Sequence, residues 1–192
     1  MLKMGIYKYI NESWKNENPS LWKDRLIRWR KEPVVLKIDY PTRLDRARAL
    51  GYRAKTGFVI VRIKVSRGGR KRAKIRKGRM TKNQGRRKIV GKSHQWIAEE
   101  RANKHFVNLE VLNSYLVGRD GKQAWYEVIL VDPERPEIKA DSRINWICSS
   151  ANRGRVYRGL TSAGRHSRGL THKGRGTEKL RPSLSASDRR AK

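Results

Sequence analysis

The stretch 109–131, LEVLNSYLVGRDGKQAWYEVILV, reads as a β-hairpin. Two apolar runs, Leu109–Val117 and Trp125–Val131, flank Asp120-Gly121, a pair suited to reversing the chain between strands. Pro133 and Pro136 then close the unit. Upstream, Phe58–Val65 alternates: Val59, Val61, Ile63 and Val65 share one side, and Arg62 and Lys64 the other. That period of two predicts a third strand with one buried face. Val34–Ile38, short and β-branched, supplies a fourth.

Helices surround these strands. Ile6, Ile10 and Trp14, with Tyr7 beside them, fall on one helical face. Asn18-Pro19 gives an N-cap and a proline at the first helical position. Leu21, Trp22, Leu26 and Trp29 carry that second helix's apolar face, and Pro33 ends it. Thr42-Arg43-Leu44-Asp45 resembles a capping box, with Asp where Glu or Gln is usual. The helix it opens runs to about Leu50 and stops at Gly51. Ser93 caps a further helix through Ile97, Arg101 and Phe106. The order is α, α, β, α, β, loop, α, β, β, which predicts an α+β fold with a small mixed or antiparallel sheet.

Charge is sorted along the chain. Of 192 residues 48 are Lys or Arg and 17 are acidic, a formal net charge of +31. No acid occurs from Arg46 to Trp96 or from Ser142 to Thr177, whereas Glu99–Asp141 has more acids than bases. Arg67–Lys92 places 13 Lys or Arg in 26 residues, interleaved with glycines. Such a segment buries too little apolar surface to fold alone. The expected organisation is an N-terminal helical segment (1–33), an α+β core (34–141) with an inserted basic loop (67–92), and an extended basic C-terminal arm (142–192). Within that arm Arg158-Gly159-Leu160-Thr161 recurs as Arg168-Gly169-Leu170-Thr171, and Gly164-Arg165 as Gly174-Arg175. These read as two anchor points along the arm.

Several classes are excluded. One cysteine, Cys148, supports neither a disulfide framework nor a cysteine-rich zinc site, and is expected to be a buried, inert thiol. The longest clean apolar run is Val128–Val131, and the first residues lack the apolar region of a secretory signal, so an intracellular, reducing setting is expected. His94, His105, His166 and His172 show no metal-binding spacing. Adjacent Glu99 and Glu100 point to different sides of a helix, toward solvent or a partner such as Lys104. Gly85–Ser93 looks like a phosphate loop, but five residues separate its glycines where the motif has four. No catalytic residue, metal site, cofactor or small-molecule substrate is expected.

The partner is therefore a polyanion. Arginines outnumber lysines, 28 to 20, and guanidinium both grips phosphate bidentately and stacks on bases. Glycines let a backbone approach a phosphate chain closely. Folded RNA offers the narrow clefts and unstacked bases that basic arms fit. A DNA-compacting, chromatin-like protein shares these electrostatics and is the alternative. Of the tryptophans, Trp14, Trp22, Trp29, Trp125 and Trp146 are expected in the core, and Trp96 is the best base-stacking candidate.

Four strings, GIYKYINESW (5–14), PTRLDRARALGYRAKTGFVIVRIKVSRGGRKR (41–72), IAEERANKHFVNLEVLNSYLVGRDGKQAWYEVILVDP (97–133) and YRGLTSAGRHSRGL (157–170), together resemble the archaeal–eukaryotic family of ribosomal protein fifteen of the large subunit. The resemblance covers nearly the whole chain, in order. It implies a structural component of the cytoplasmic large ribosomal subunit, with large-subunit rRNA and neighbouring ribosomal proteins as partners and no catalysis. It also implies a four-stranded antiparallel sheet with helices on both faces, and rRNA-embedded segments at Arg67–Arg79 and Arg158–Arg168. The residues expected to meet rRNA are Arg46, Arg48, Arg53 and Lys55. In the loop they are Arg67, Arg70, Lys71, Arg72, Lys74, Arg76, Lys77, Arg79, Lys82, Arg86, Arg87, Lys88 and Lys92, then Ser93 and Trp96. In the arm they are Arg153, Arg155, Arg158, Arg165, His166, Arg168, Lys173 and Arg175.

Overall fold

The structure is a computed structural model that describes residues 5–16, 18–69, 91–172 and 174. Its elements are α1 (Ile6–Lys15), α2 (Pro19–Lys31), β1 (Val35–Ile38), α3 (Leu44–Ala49), β2 (Phe58–Ser66), α4 (His94–His105), β3 (Glu110–Arg119), β4 (Gln123–Val131), α5 (Pro136–Lys139) and α6 (Ser162–Ser167). Two short 3₁₀ turns, Asn145–Cys148 and Ser150–Asn152, precede α6. The strands form one antiparallel sheet in the order β1-β2-β4-β3.

The strand patterns explain the layers. On β2, Val61, Ile63 and Val65 are buried on one side, as the alternation requires, under Trp96, Ala98 and Ala102 of α4 and Ala163 of α6. Ile60 faces the other side, with Trp125 and Ile129 of β4, under Leu26 and Trp29 of α2 and Ala47 of α3. Each fully buried aliphatic side chain here contributes on the order of 1.5–3 kcal/mol. A smaller cluster of Val131, Ile138, Ile144 and Ile147 closes one end. Trp14, Trp22 and Trp29 run edge to ring across the second face and Trp125 follows tilted against Trp29, with successive centroids 5.6–5.8 Å apart. Gly118 makes this stack possible, since a Cβ there would stand 2.9 Å from the Trp22 ring and 3.1 Å from that of Trp29.

Several expectations give way to tertiary structure. Arg62 does not face water: α2 covers it, its side chain is 12% exposed, and its guanidinium lies 4.3 Å from the Trp29 ring centroid. It donates to Glu32 at 3.1 Å and to the Thr42 hydroxyl at 2.9 Å, and pairs with fully buried Glu127 at 3.5 Å. Thr42 accordingly does not cap α3; its N–H and hydroxyl both donate to Glu127, as does the Tyr115 hydroxyl. A buried carboxylate is tolerated only with such partners. Lys64, also expected on a wet face, donates to the Arg30 and Glu32 carbonyls at the end of α2. The hairpin turns through Asp120, Gly121 and Lys122, with the Asp120 carboxylate accepting the N–H groups of Lys122 and Gln123.

The C-terminal segment departs most from expectation. Residues 145–171 are no extended arm: they fold back onto α4 and the sheet, burying Val156, Thr161 and Ala163. The internal repeat has a structural meaning. Gly159 and Gly169 both take positive φ, 66° and 69°. The N–H of Leu160 reaches the Arg155 carbonyl and that of Gly159 the Val156 carbonyl; Leu170 and Gly169 repeat this on Arg165 and His166. Both copies are thus Schellman caps, each ending a helical turn with a left-handed glycine.

Candidate nucleic-acid interface

The basic loop leaves the end of β2 and returns at the start of α4, and its two ends meet. The Arg67 N–H donates to the Lys122 carbonyl at 2.9 Å, and its guanidinium to the Asp120 carbonyl. The Gly68 carbonyl bonds the His94 ring at 3.1 Å. Lys92 pairs with Glu100 at 2.6 Å, which makes Lys92 rather than Lys104 the partner of that acid. Ser93 caps α4 as expected, its hydroxyl accepting the Trp96 N–H, while its own N–H donates to the Ser167 hydroxyl. Arg70, Lys71, Arg72, Lys74, Arg76, Lys77, Arg79, Lys82, Arg86, Arg87 and Lys88 of the loop lie outside the described residues, as do Lys173 and Arg175.

The described cations divide into two groups. One group holds the protein together. Lys55 pairs with Asp141 at 2.7 Å. Arg155 donates to the Val111, Leu112 and Leu160 carbonyls at 2.7, 3.1 and 3.2 Å. Arg158 donates to the Ala151 and Arg153 carbonyls, and Arg168 to the Arg158 and Gly159 carbonyls. Arg48 donates to the Tyr7 hydroxyl at 2.6 Å, and the His166 ring bonds the Thr171 hydroxyl at 3.2 Å. The other group faces outward: Arg46, Arg53, Arg153 and Arg165 are exposed and their side chains make no ion pair among the described residues.

Three adjoining crevices place three of the outward cations, Arg46, Arg53 and Arg165, along the free edge of β3. Lys8, Arg46 and Leu116 line one; Arg53, Arg143 and Trp146 a second; Trp146, Arg155 and Arg165 a third. The second and third share Leu112 and Trp146. The acids here are taken up internally: Asp45 by Arg43 at 3.0 Å, Asp141 by Lys55 and Arg143. The hydrogen bond from Lys55 holds the Asp141 carboxyl down to about 2. The strand edge is itself sealed, because Arg155 covers the Val111 and Leu112 carbonyls and Gln95 donates to that of Ser114. That leaves little backbone for another strand to pair with.

Two tryptophans lie in places opposite to expectation. Trp96 is no stacking platform: it is buried, its indole N–H donates to the Val156 carbonyl at 2.7 Å, and Gly159 lies against its ring. Trp146, expected in the core, is 42% exposed. Cys148 is half-buried beside the third cluster. Glu99, expected toward solvent, is fully buried, accepting the hydroxyls of Ser114 and Thr161, and burial pushes its carboxyl up. Its signal in sequence was faint: Ala98 and Ala102 mark the face of α4 that meets the sheet, and Glu99 adjoins it. Among the described residues no group of three His, Cys, Asp or Glu could hold a metal ion, and no helix is long and apolar enough to cross a membrane.

Comparison with known proteins decides the family. A family model described as Ribosomal L15 matches residues 5–187. This chain belongs to that ribosomal protein family. It is 53% identical over 193 residues to the large ribosomal subunit protein eL15 of Methanocella arvoryzae, covering 98% of each chain. It is 52% identical over 196 residues to the protein of the same name from Methanococcoides burtonii, covering all of both. Between the ribosomal reading and the DNA-compacting one, which composition leaves open, membership of the L15 family favours the first.

Proposed function

We propose that this chain is a structural constituent of the large ribosomal subunit, in the cytoplasm, and that it binds folded large-subunit rRNA beside neighbouring ribosomal proteins. Its relatives are large ribosomal subunit proteins over their full length. The observation that carries the rRNA contact is the sorting of charge in three dimensions. The two acids at these crevices, Asp45 and Asp141, are held in internal pairs, while Arg46, Arg53 and Arg165 face outward along one edge of the sheet. Such a face releases counterions when phosphates replace them, so binding weakens steeply with salt. The basic loop and tail add to this contact through Arg70–Lys88, Lys173 and Arg175. The folded domain fixes where the loop enters RNA, because His94 and Gly68 close its base. The role is architectural, with neither catalysis nor a cofactor.

Sedimentation of the tagged chain with ribosomes tests this reading. It should travel with large subunits and stay with them at moderate salt. A chain that remains at the top of the gradient, or that binds duplex DNA as well as rRNA at that salt, would refute it.

A further inference from the structure

We propose that the groove beside Trp146 receives one unstacked base of an RNA strand, with the adjoining phosphate held by Arg165. The inference rests on the rRNA-binding reading above and adds a nucleotide site to it. Trp146 sits on a 3₁₀ turn whose backbone is fixed, for Ile144 and Ile147 are buried and the Trp146 carbonyl accepts the Asn152 amide at 2.6 Å. The residue nonetheless stays 42% exposed. Arg155 packs against it, its guanidinium carbon 5.0 Å from the ring centroid and its two terminal nitrogens donating to three backbone carbonyls. Leu160, 37% exposed, and Leu170 supply further apolar lining in a groove of about 510 Å³.

The chemistry of the lining selects the occupant. A held aromatic face with aliphatic residues around it suits a flat ring. Arg165 is exposed, makes no side-chain hydrogen bond among the described residues, and lines the same groove. No acid lines the groove, and none occurs in residues 142–177. A flat ring joined to an anion is what a nucleotide presents, and RNA offers such bases in its loops and bulges. Asn113 lines the same groove and accepts the Ser114 N–H with its side-chain oxygen, so its amide NH₂ is the group left to donate to a base.

The test uses large subunits assembled with the full-length chain as wild type, Trp146→Ala, Trp146→Phe or Arg165→Ala, with rRNA probed by base-modifying reagents and by ultraviolet cross-linking. Trp146→Ala should expose one nucleotide, or two adjacent ones, that the wild type protects, while Trp146→Phe keeps the protection. Arg165→Ala, which removes the cation but keeps Trp146, Leu160 and Leu170 in the lining, should weaken protection at the same nucleotide. In the wild type, the peptide carrying Trp146 should cross-link to that nucleotide. On an isolated rRNA fragment containing it, Trp146→Ala should weaken binding roughly ten-fold, the effect of losing one stacked base. Identical reactivity in wild type, Trp146→Ala and Arg165→Ala subunits would overturn the proposal, as would a cross-link from this peptide to a protein instead of RNA. A wild-type chain that fails to join large subunits would overturn the ribosomal reading first, and this site with it.

Discussion

Thr161 donates its hydroxyl to the fully buried carboxylate of Glu99, 62 residues upstream, and accepts the Gly164 N–H with the same oxygen. One side chain thus caps α6 and fastens the C-terminal segment to α4. Ser114 donates to the other carboxylate oxygen and ties both to β3. A segment that sequence alone reads as a loose arm becomes a third wall of the domain through this acid.

Removing that acid should release the segment. Glu99→Ala strips two buried hydroxyls of their acceptor and should cost about 1–3 kcal/mol for each group left unsatisfied. Denaturant unfolding of the free protein would measure it, with proteolysis of residues 145–171 as the local readout. The pH dependence has a definite sign. Burial raises the Glu99 carboxyl above its unfolded value of 4.5, so the folded state binds the proton more tightly. Its contribution to stability is therefore fully present below about 4.5 and is lost as pH rises through the folded pKa. In Glu99→Gln this part of the profile should be flat, and an unchanged slope would contradict the assignment.

Asp141 should behave in the opposite way. The hydrogen bond from Lys55, with the Arg143 N–H beside it, lowers its carboxyl from 3.8 to about 2. Stability from this group is present above about 3.8 and is lost as pH falls toward about 2. Asp141→Asn should remove that acid-side slope, and chemical-shift titration of the Asp141 carboxyl would locate the midpoint directly. A midpoint near 4 would show that the Lys55 contact is absent in solution.

How much of this was legible in sequence differs by element. β2 was plain because its buried Val61, Ile63 and Val65 alternate without interruption. β3 was visible as an apolar run but not as an alternation, because register shifts at Leu112 and Val117 break the period of two. The caps at Asn18 and Ser93 were readable because they are local chemistry, and each accepts an N–H as expected. Thr42 was misread because its competitor, the Glu127 carboxylate, lies 85 residues away. Charge density marked the basic segments, but not which arginines face outward. Arg155 and Arg165 look alike in sequence, and only the fold shows that one seals a strand edge.

Gly164 offers a test of backbone packing against helix propensity. It lies within α6, where replacing glycine by alanine ordinarily gains about 1 kcal/mol. Here a Cβ would stand 2.6 Å from the Gly159 Cα and 2.8 Å from its carbonyl carbon, and the obstacle is backbone. Gly159 is itself fixed, with φ of +66° and the Trp96 ring against it. Gly164→Ala should therefore lower the melting temperature despite the better helix former. A rise would mean that α6 and the preceding turn are not in contact.

The two classes of arginine separate in a paired experiment. Arg165→Ala and Arg53→Ala remove exposed charges with no ion pair among the described residues, so their thermal stability should match the wild type. If each meets one rRNA phosphate, the slope of log binding constant against log salt should fall by about 0.7–0.9 per substitution. Arg155→Ala should do the reverse in order of severity. It uncovers the Val111, Leu112 and Leu160 carbonyls, and loss of such charge-assisted bonds costs about 1.5–3 kcal/mol each at most. Its first effect is therefore a lower melting temperature in free protein, with any loss of RNA binding following from the loosened segment. Equal losses of stability in Arg155→Ala and Arg165→Ala would show that the cations are not divided into these two classes.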